Sequence, residues 1–167
     1  MVRLETVLDS WKAVREDTAR AVEDFPSAEL DFRATPELMS FRELGRHILD
    51  AGQALTGMML DEVESFALPG IRERFKEYFS PLATDAGAAE LAAELRRAAD
   101  ERCRRLLDRS ADFYAHIITR FDGQRVTRLE MLQFVKEHEL THRSQMFLYL
   151  RLKGIVPPTT RRREAKK

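Results

Sequence analysis

Apolar residues recur every three to four positions in four long stretches of the chain, which is the period of an amphipathic helix. The first stretch runs from Leu4 to Phe25 and is followed by Pro26, and the third runs from about Ala88 to Arg109. The inward positions are Leu4, Val7, Leu8, Trp11, Val14, Thr18 and Val22 in the first stretch and Leu91, Leu95, Ala99, Cys103 and Leu106 in the third. Both stretches therefore predict long surface helices with one buried face.

The second and fourth stretches each begin with a capping box, in which the first side chain and the side chain three residues later satisfy two free amides. Ser40 with Glu43 opens the second stretch, and Thr127 with Glu130 opens the fourth. Phe41, Leu44, Ile48, Ala51, Leu55 and Met58 follow at helical spacing in the second, and Met131, Val135, His138, His142, Met146, Tyr149 and Leu152 in the fourth. Gly154 then predicts the end of the last helix.

Two connections between these helices are long. Residues Glu64 to Gly87 contain a short helical pattern over Ile71 to Phe79, and residues Ser110 to Val126 predict an irregular or extended segment. No segment alternates well enough to predict a sheet. We therefore expect an all-α protein, a four-helix bundle over residues 1–156 with long connections after the second and third helices, and a basic, disordered tail over 157–167.

The composition adds limits to this picture. The 167 residues suit one domain, and 28 Lys and Arg against 28 Asp and Glu argue against a protein that coats nucleic-acid phosphates. Cys103 is the only cysteine, so no internal disulfide can form, and its inward position suggests packing rather than reactivity. The charged N-terminus lacks the apolar run of a signal peptide, and no stretch has the length of a membrane span. We expect a cytoplasmic protein without nucleic-acid or membrane partners.

Three histidines stand out because they lie on apolar helix faces. His138 and His142 are four residues apart on the fourth helix, which places their Cβ atoms roughly 5–6 Å apart. His47 lies on the inward face of the second helix. These rings are either core histidines satisfied by hydrogen bonds or, if the two helices face each other, the ligands of one divalent metal ion. Three neutral imidazoles and an open position are typical of catalytic metal sites. Asp50, Glu139 and Gln145 are candidates for orienting the rings or a bound water from outside the ligand set.

Residues 138–142 also spell H-E-x-x-H, the signature of zinc peptidases, in which the glutamate activates water. The third ligand of such enzymes follows the motif, yet here the only downstream glutamate is Glu164, in the basic tail. The strand that aligns a peptide substrate is also not predicted. A peptidase is therefore the less favoured alternative, and in it Glu139 would be the base.

The segment around His47, LGRHILDAG, together with HELTHRSQMFLYLRLKGIVPP near the C-terminus resembles the DinB/YfiT-like superfamily. The resemblance implies a four-helix bundle that binds nickel, zinc or another divalent ion through His47, His138 and His142. The sequence departs from the common H-H-R-G-Q run of that family at Thr141 and Ser144, and neither departure removes a ligand.

The same resemblance implies a metal-dependent enzyme, since characterised relatives include thiol S-transferases that use bacillithiol, mycothiol or glutathione and a mycothiol-dependent isomerase. We therefore expect a thiol S-transferase or a hydrolase that acts on a small electrophile, with a low-molecular-weight thiol as a candidate partner. The alternative is a metal-binding or interaction protein without a reaction, because no base or thiol-recognition motif is present in the sequence.

Apolar residues in the second-to-third connection exceed what one bundle obviously covers: Phe66, Leu68, Ile71, Phe75 and Phe79. Large exposed apolar patches commonly mark contacts between proteins. We therefore expect a homodimer.

Overall fold

Four long helices make up most of residues 3–166, which are the residues that the computed structural model describes. The helices are α1 (Leu4–Asp24), α2 (Phe41–Leu60), α3 (Ile71–Lys76), α4 (Ala88–Leu107), α5 (Ala111–Ala115), α6 (Arg128–Leu152) and α7 (Pro158–Glu164), with a 3₁₀ turn at Ser27–Glu29. Two strands, β1 (Ile117–Thr119) and β2 (Arg125–Thr127), precede α6. Helices α1, α2, α4 and α6 form the predicted four-helix bundle.

The order of the helices around the bundle is α1, α4, α2 and α6. Helix α1 packs against α4 and α6, and α2 packs against the same two neighbours. Helices α2 and α6 are therefore adjacent, as a metal site shared by them requires. Helices α1 and α2 lie diagonally across the core.

Two apolar clusters form the core, one toward each end of the bundle. Trp11 and Met58 belong to the first cluster, and Phe25, Phe41 and Ile48 to the second. The rings of Phe25 and Phe41 stack with their centroids 3.8 Å apart. Between the two clusters α1 and α6 contribute buried polar side chains, which bear on the candidate site below.

Both capping boxes that the sequence predicts are present. The Ser40 hydroxyl accepts a hydrogen bond from the amide of Glu43, and the Thr127 hydroxyl accepts one from the amide of Glu130. The third long helix, α4, has no Ser or Thr cap. The cap is Gly87, whose amide donates to the Glu90 carboxylate at 3.0 Å.

The expectation that the chain contains no sheet is wrong in one place. β1 and β2 form an antiparallel hairpin in which Ile118 pairs with Val126, and Gly123 takes a left-handed φ of 81° at its turn. The amide of Phe66 donates to the carbonyl of Thr119 at 2.8 Å, which ties the earlier connection to the hairpin. Strands of three residues are too short for alternation to reveal them.

The C-terminal segment corrects the expectation of disorder, because α7 spans Pro158–Glu164 and is ion-paired to α1. The guanidinium of Arg162 donates to Asp17 at 2.7 Å, and that of Arg161 donates to Asp24 at 2.6 Å. A basic segment that looks solvated in isolation therefore has matching carboxylates about 140 residues earlier in the chain.

The second-to-third connection covers more of its apolar side chains than the sequence suggests. Phe66 is fully buried, and Ile71 and Phe75 pack partly against the core, whereas Leu68 and Phe79 are exposed. The premise that Phe66 is exposed is therefore wrong, and the homodimer stays a prediction. Among the helices within residues 3–166, none combines the length and the apolar character needed to cross a membrane.

Candidate metal site

The packing of α2 against α6 brings His47, His138 and His142 together. One ring nitrogen from each lies within 4.8 Å of the corresponding nitrogens of the other two. The Nε2 atoms of His47 and His138 are 3.2 Å apart, and the ring centroids are separated by 4.5 to 5.0 Å. The sequence predicted these three residues as a group, and the bundle places them as one.

The nitrogen spacing fits ligands of a common ion. Two imidazole nitrogens bound tetrahedrally to a zinc-sized ion are about 3.3 Å apart, given metal–nitrogen distances of about 2.0–2.1 Å. The 3.2 Å between His47 and His138 also suits a hydrogen bond between a protonated and an unprotonated ring nitrogen. The ring of His142 belongs to the same cluster but is not one of the two rings at this distance. All three residues therefore fit a metal centre of the three-histidine kind.

Burial lowers the pKa of two of the clustered rings, His47 and His138. Burial, together with the neighbouring His142 and His47, lowers the pKa of His138 to about 4. Burial also lowers the pKa of His47, as does His142, while the charge of Asp50 acts in the opposite direction. Neutral imidazole is the form that binds a metal ion, so at neutral pH these two nitrogens need not lose a proton first.

Gln145 lies beside His142, one turn further along α6. Its Oε1 lies 2.8 Å from Nδ1 of His142, so that Nδ1 donates when it carries the proton. Nε2 of His142 then presents a lone pair. Donation from the second ring nitrogen to an oxygen is the usual way in which proteins fix the tautomer of a ligating histidine.

Asp50 lies near His47 but makes its hydrogen bonds elsewhere. Its carboxylate accepts from Nε of Arg46 at 2.7 Å and from the backbone amide of Ser80 at 3.0 Å. Within the described residues it accepts no hydrogen bond from the clustered imidazoles. The geometry therefore indicates an influence through charge, and not the orientation of a ring.

Glu139 corrects the idea that it borders the imidazoles. Its carboxylate accepts hydrogen bonds from Trp11 Nε1 at 2.8 Å, from Arg15 Nε at 2.8 Å and from Thr18 Oγ1 at 2.9 Å, all on α1. It is 2% exposed. Successive helix residues point about 100° apart, which directs Glu139 toward α1 while His138 faces α2. Glu139 is part of the α1–α6 interface.

A cavity of about 870 Å³ adjoins the histidines, with His47 and His138 in its wall. Its apolar lining comes from α2, from the α3 segment, from the hairpin and from α6: Leu55, Ile71, Phe75, Phe79, Phe121 and Phe134. This volume is within the range of small-molecule sites. Sequence reasoning missed this lining, because four separate segments supply it and no local pattern connects them.

Comparison with known proteins decides the family. The DinB family profile matches residues 1–167, the whole chain. The chain belongs to the DinB family. This result confirms the family resemblance of the two segments that contain the histidines. No curated protein sequence matches the chain.

Solved structures of similar fold include other DinB-like proteins. One is YfiT from Bacillus subtilis, which is described as a probable metal-dependent hydrolase with an unusual four-helix bundle topology. Its sequence is 15% identical to this chain, and the superposition covers 93% of this chain and 91% of YfiT with a TM-score of 0.70. A DinB-like protein from Bacillus cereus is 19% identical, with coverages of 92% and 95% and a TM-score of 0.69.

The mycothiol-dependent maleylpyruvate isomerase has a TM-score of 0.64 and 14% identity, with 87% of this chain and 61% of the isomerase covered. At such low identities these likenesses establish the bundle fold of this DinB family protein.

Proposed function

We propose that this DinB family protein binds one divalent transition-metal ion, nickel or zinc, through His47, His138 and His142. We further propose that it is a metal-dependent enzyme acting on a small electrophilic substrate. The observation that carries the proposal is the convergence of three imidazole nitrogens in the wall of a cavity large enough for such a substrate. The alternative of a metal-binding protein without a reaction leaves the cavity beside the histidines without a role.

The chain's own residues prepare the site in three ways. The neutral imidazoles of His47 and His138 leave the charge of an ion uncompensated, Gln145 can accept a hydrogen bond from Nδ1 of His142, and apolar side chains line the cavity beside the rings. A bound divalent ion would supply the charge that favours deprotonation of a thiol or of water and so yields a nucleophile at neutral pH. Thiol S-transfer and hydrolysis are accordingly the two reaction types that we propose.

Each reaction type has a structural relative of the corresponding kind. YfiT is described as a probable metal-dependent hydrolase, and the maleylpyruvate isomerase is mycothiol-dependent. These relatives support testing the protein for activity with water and with low-molecular-weight thiols as the nucleophile.

The position of Glu139 opposes the peptidase alternative. A zinc peptidase needs this glutamate beside the metal as the base for water. Here the carboxylate is buried against α1 and paired with Arg15 at 2.8 Å. Glu139 therefore does not lie where the base of a zinc peptidase is needed.

Metal content tests the ligand set. Protein purified without an affinity tag and analysed for metals should contain about one divalent ion per chain, and His47→Ala should lower that content strongly because one of three ligands is lost. His116→Ala is the matched control, since the fourth histidine lies outside the cluster, near Glu64, and should leave the content unchanged. Failure to take up Zn²⁺ and Ni²⁺, or unchanged metal in His47→Ala, would contradict the proposal.

Activity tests the enzyme. Metal-loaded protein should be screened with bacillithiol, mycothiol and glutathione against model electrophiles, and with water alone against activated esters. We expect turnover that His47→Ala abolishes and His116→Ala retains. Metal bound at full stoichiometry without turnover in any of these reactions would favour the non-enzymatic alternative.

A further inference from the structure

Charged side chains in the wall of the cavity are almost all neutralised within the protein. Four carboxylates line it, and each is paired with a guanidinium. The pairs are Asp31 with Arg42 at 2.9 Å, Glu43 with Arg33 at 2.7 Å, Asp50 with Arg46 at 2.7 Å and Asp122 with Arg120 at 2.5 Å. These pairs leave no net charge in this part of the wall.

Two of the paired arginines are also held by the backbone. Arg42 donates to the carbonyl of Asp85 at 2.8 Å, and Arg46 donates to the carbonyl of Ser80 at 2.6 Å. Turning either guanidinium toward a ligand would break these bonds as well as the ion pair. Neither arginine is free to bind a substrate.

Arg72 is the exception among the charged residues of the wall. It lies on α3, is exposed, and has neither a hydrogen bond nor an ion pair with any residue between positions 3 and 166. Its charge is therefore the one charge of the lining that no ion pair within residues 3–166 neutralises. A divalent ion at the histidines would add positive charge to the same cavity, so the site favours an anion.

Four phenylalanines form much of the apolar wall: Phe75, Phe79, Phe121 and Phe134. Phe79 and Phe121 are 40% and 44% exposed although both are large apolar side chains, and both line the cavity. Phe121 lies edge-on to Phe134, with 5.2 Å between their ring centroids. Aromatic rings that line a concave surface and remain exposed suit a partner with a flat apolar body.

Arg72 and two of the four phenylalanines of the wall lie on one segment of the chain. Arg72 and Phe75 are three residues apart on α3, which places them on the same helix face, and Phe79 follows one turn later. A single ligand can therefore contact the guanidinium and the aromatic rings at the same time.

We propose that the substrate of this site is a small aromatic carboxylate. Arg72 binds the carboxylate through the paired N–H groups of its guanidinium, and the ring of the substrate packs against Phe75, Phe79, Phe121 and Phe134. That this ligand is a substrate rests on the metal-dependent enzyme proposed above, whereas its binding depends on Arg72 and the phenylalanines and needs no metal. Arg72 is thus the specificity-determining residue for the charge of the substrate.

Ligand-observed ¹⁹F NMR on the full chain tests the inference. The probes are 4-(4-fluorophenyl)butyrate, its neutral amide and the corresponding phosphonate, each titrated into metal-free and zinc-loaded protein, with unlabelled butyrate as the ring-free competitor. We expect the carboxylate to bind at least about tenfold more tightly than the amide, which is the usual size of a charge-assisted hydrogen bond. Butyrate should compete poorly.

Variants with matched controls assign the two contacts. Arg72→Ala should weaken carboxylate binding about tenfold and leave amide binding unchanged. Arg74→Ala, on the same helix but outside the cavity wall, should change neither. Phe79→Ala should weaken both probes several-fold. Leu148→Ala should not, because Leu148 is an exposed apolar residue outside the wall.

The outcomes separate this inference from the proposed function. Arg72-dependent binding of the carboxylate in a protein that takes up no metal would support the inference while the proposed function fails. Metal uptake with equal affinity for carboxylate and amide, or with no effect of Arg72→Ala, would overturn the inference alone. Tighter binding of the phosphonate would overturn the assignment of a carboxylate.

If light scattering showed that Phe79→Ala dissociates a dimer without changing probe affinity, the wall would be a contact between copies and the inference would be wrong.

Discussion

At the scale of single residues, the buried pair of Arg15 and Glu139 bears directly on stability. Their side chains are only 2% and 3% exposed, and Trp11 and Thr18 complete the hydrogen bonds of the carboxylate. Removal of one partner from a buried pair leaves the other charge desolvated. The sequence H-E-x-x-H thus contains a structural glutamate between two candidate ligands.

The first prediction concerns this pair. Glu139→Gln should lower the free energy of unfolding by about 3–5 kcal/mol, as measured by urea denaturation, because Arg15 loses its counter-charge in the core. Metal content of the folded protein should stay at the wild-type level, since the three histidines are untouched.

The double variant Arg15→Met with Glu139→Leu is the control. It removes both charges and should be more stable than Glu139→Gln, because no unpaired charge stays buried. A wild-type unfolding midpoint for Glu139→Gln, or loss of metal from protein that is still folded, would contradict the position assigned to Glu139.

The second prediction concerns Cys103, which lies in the first apolar cluster. Burial raises the pKa of its thiol to about 11. Since the thiolate is the reactive form and exists mainly above this pKa, only about one thiol in a thousand is ionised at pH 8. Ellman's reagent should therefore react slowly with the folded protein at pH 8 and rapidly in urea. Rapid reaction of the folded protein would show that Cys103 is accessible and ionised.

At the scale of elements, the close approach of α2 to the segment after α3 depends on a glycine. A Cβ atom at Gly57 would lie 2.3 Å from Cδ1 of Tyr78, whose hydroxyl donates to Asp61 at 2.7 Å. The ring therefore packs directly on the backbone of α2. A larger residue at position 57 must displace it.

The third prediction follows from this contact. Gly57→Ala should destabilise the protein by about 1–3 kcal/mol, the usual result of overpacking, even though alanine favours a helix over glycine by about 1 kcal/mol. Urea denaturation of both single variants and of Gly57→Ala with Tyr78→Ala completes a double-mutant cycle. In the Tyr78→Ala background the clash is gone, so the same substitution should stabilise. A stabilising effect in both backgrounds would contradict the contact.

At the scale of the whole molecule, a metal ion would join α2 to α6, two helices whose histidines are 91 residues apart in sequence. An ion that binds the folded chain and not the unfolded chain stabilises the fold by mass action. The proposed ligand set therefore has a thermodynamic signature that is independent of activity.

The fourth prediction is that zinc binding raises the free energy of unfolding. Zn²⁺ at about one hundred times its dissociation constant should add about 2.7 kcal/mol to the free energy of unfolding. For a chain of this size, thermal denaturation should then show a rise in Tm of roughly 5–10 °C. His116→Ala should show the same rise, and His47→Ala should show little of it. An equal rise in His47→Ala would indicate that zinc binds elsewhere.

Local patterns in the sequence determined the four long helices, their two capping boxes and the inward direction of His47, His138 and His142. Helical periodicity and capping depend on residues within a few positions of one another, so they can be recognised without knowledge of the fold. The family resemblance supplied the assumption that α2 and α6 are neighbours. Periodicity alone did not contain that information.

Contacts between distant segments decided the rest. Glu139 faces Arg15 because α1 lies beside α6, and α7 is ordered against carboxylates on α1. The hairpin is paired with the connection near Phe66, and the aromatic cavity is built from four separate segments. The partners in each case are tens of residues or more apart in sequence. Only the packing of the helices brings such partners together. The free energy of these contacts comes from burial and charge pairing in the folded chain, and local backbone preferences do not contain it.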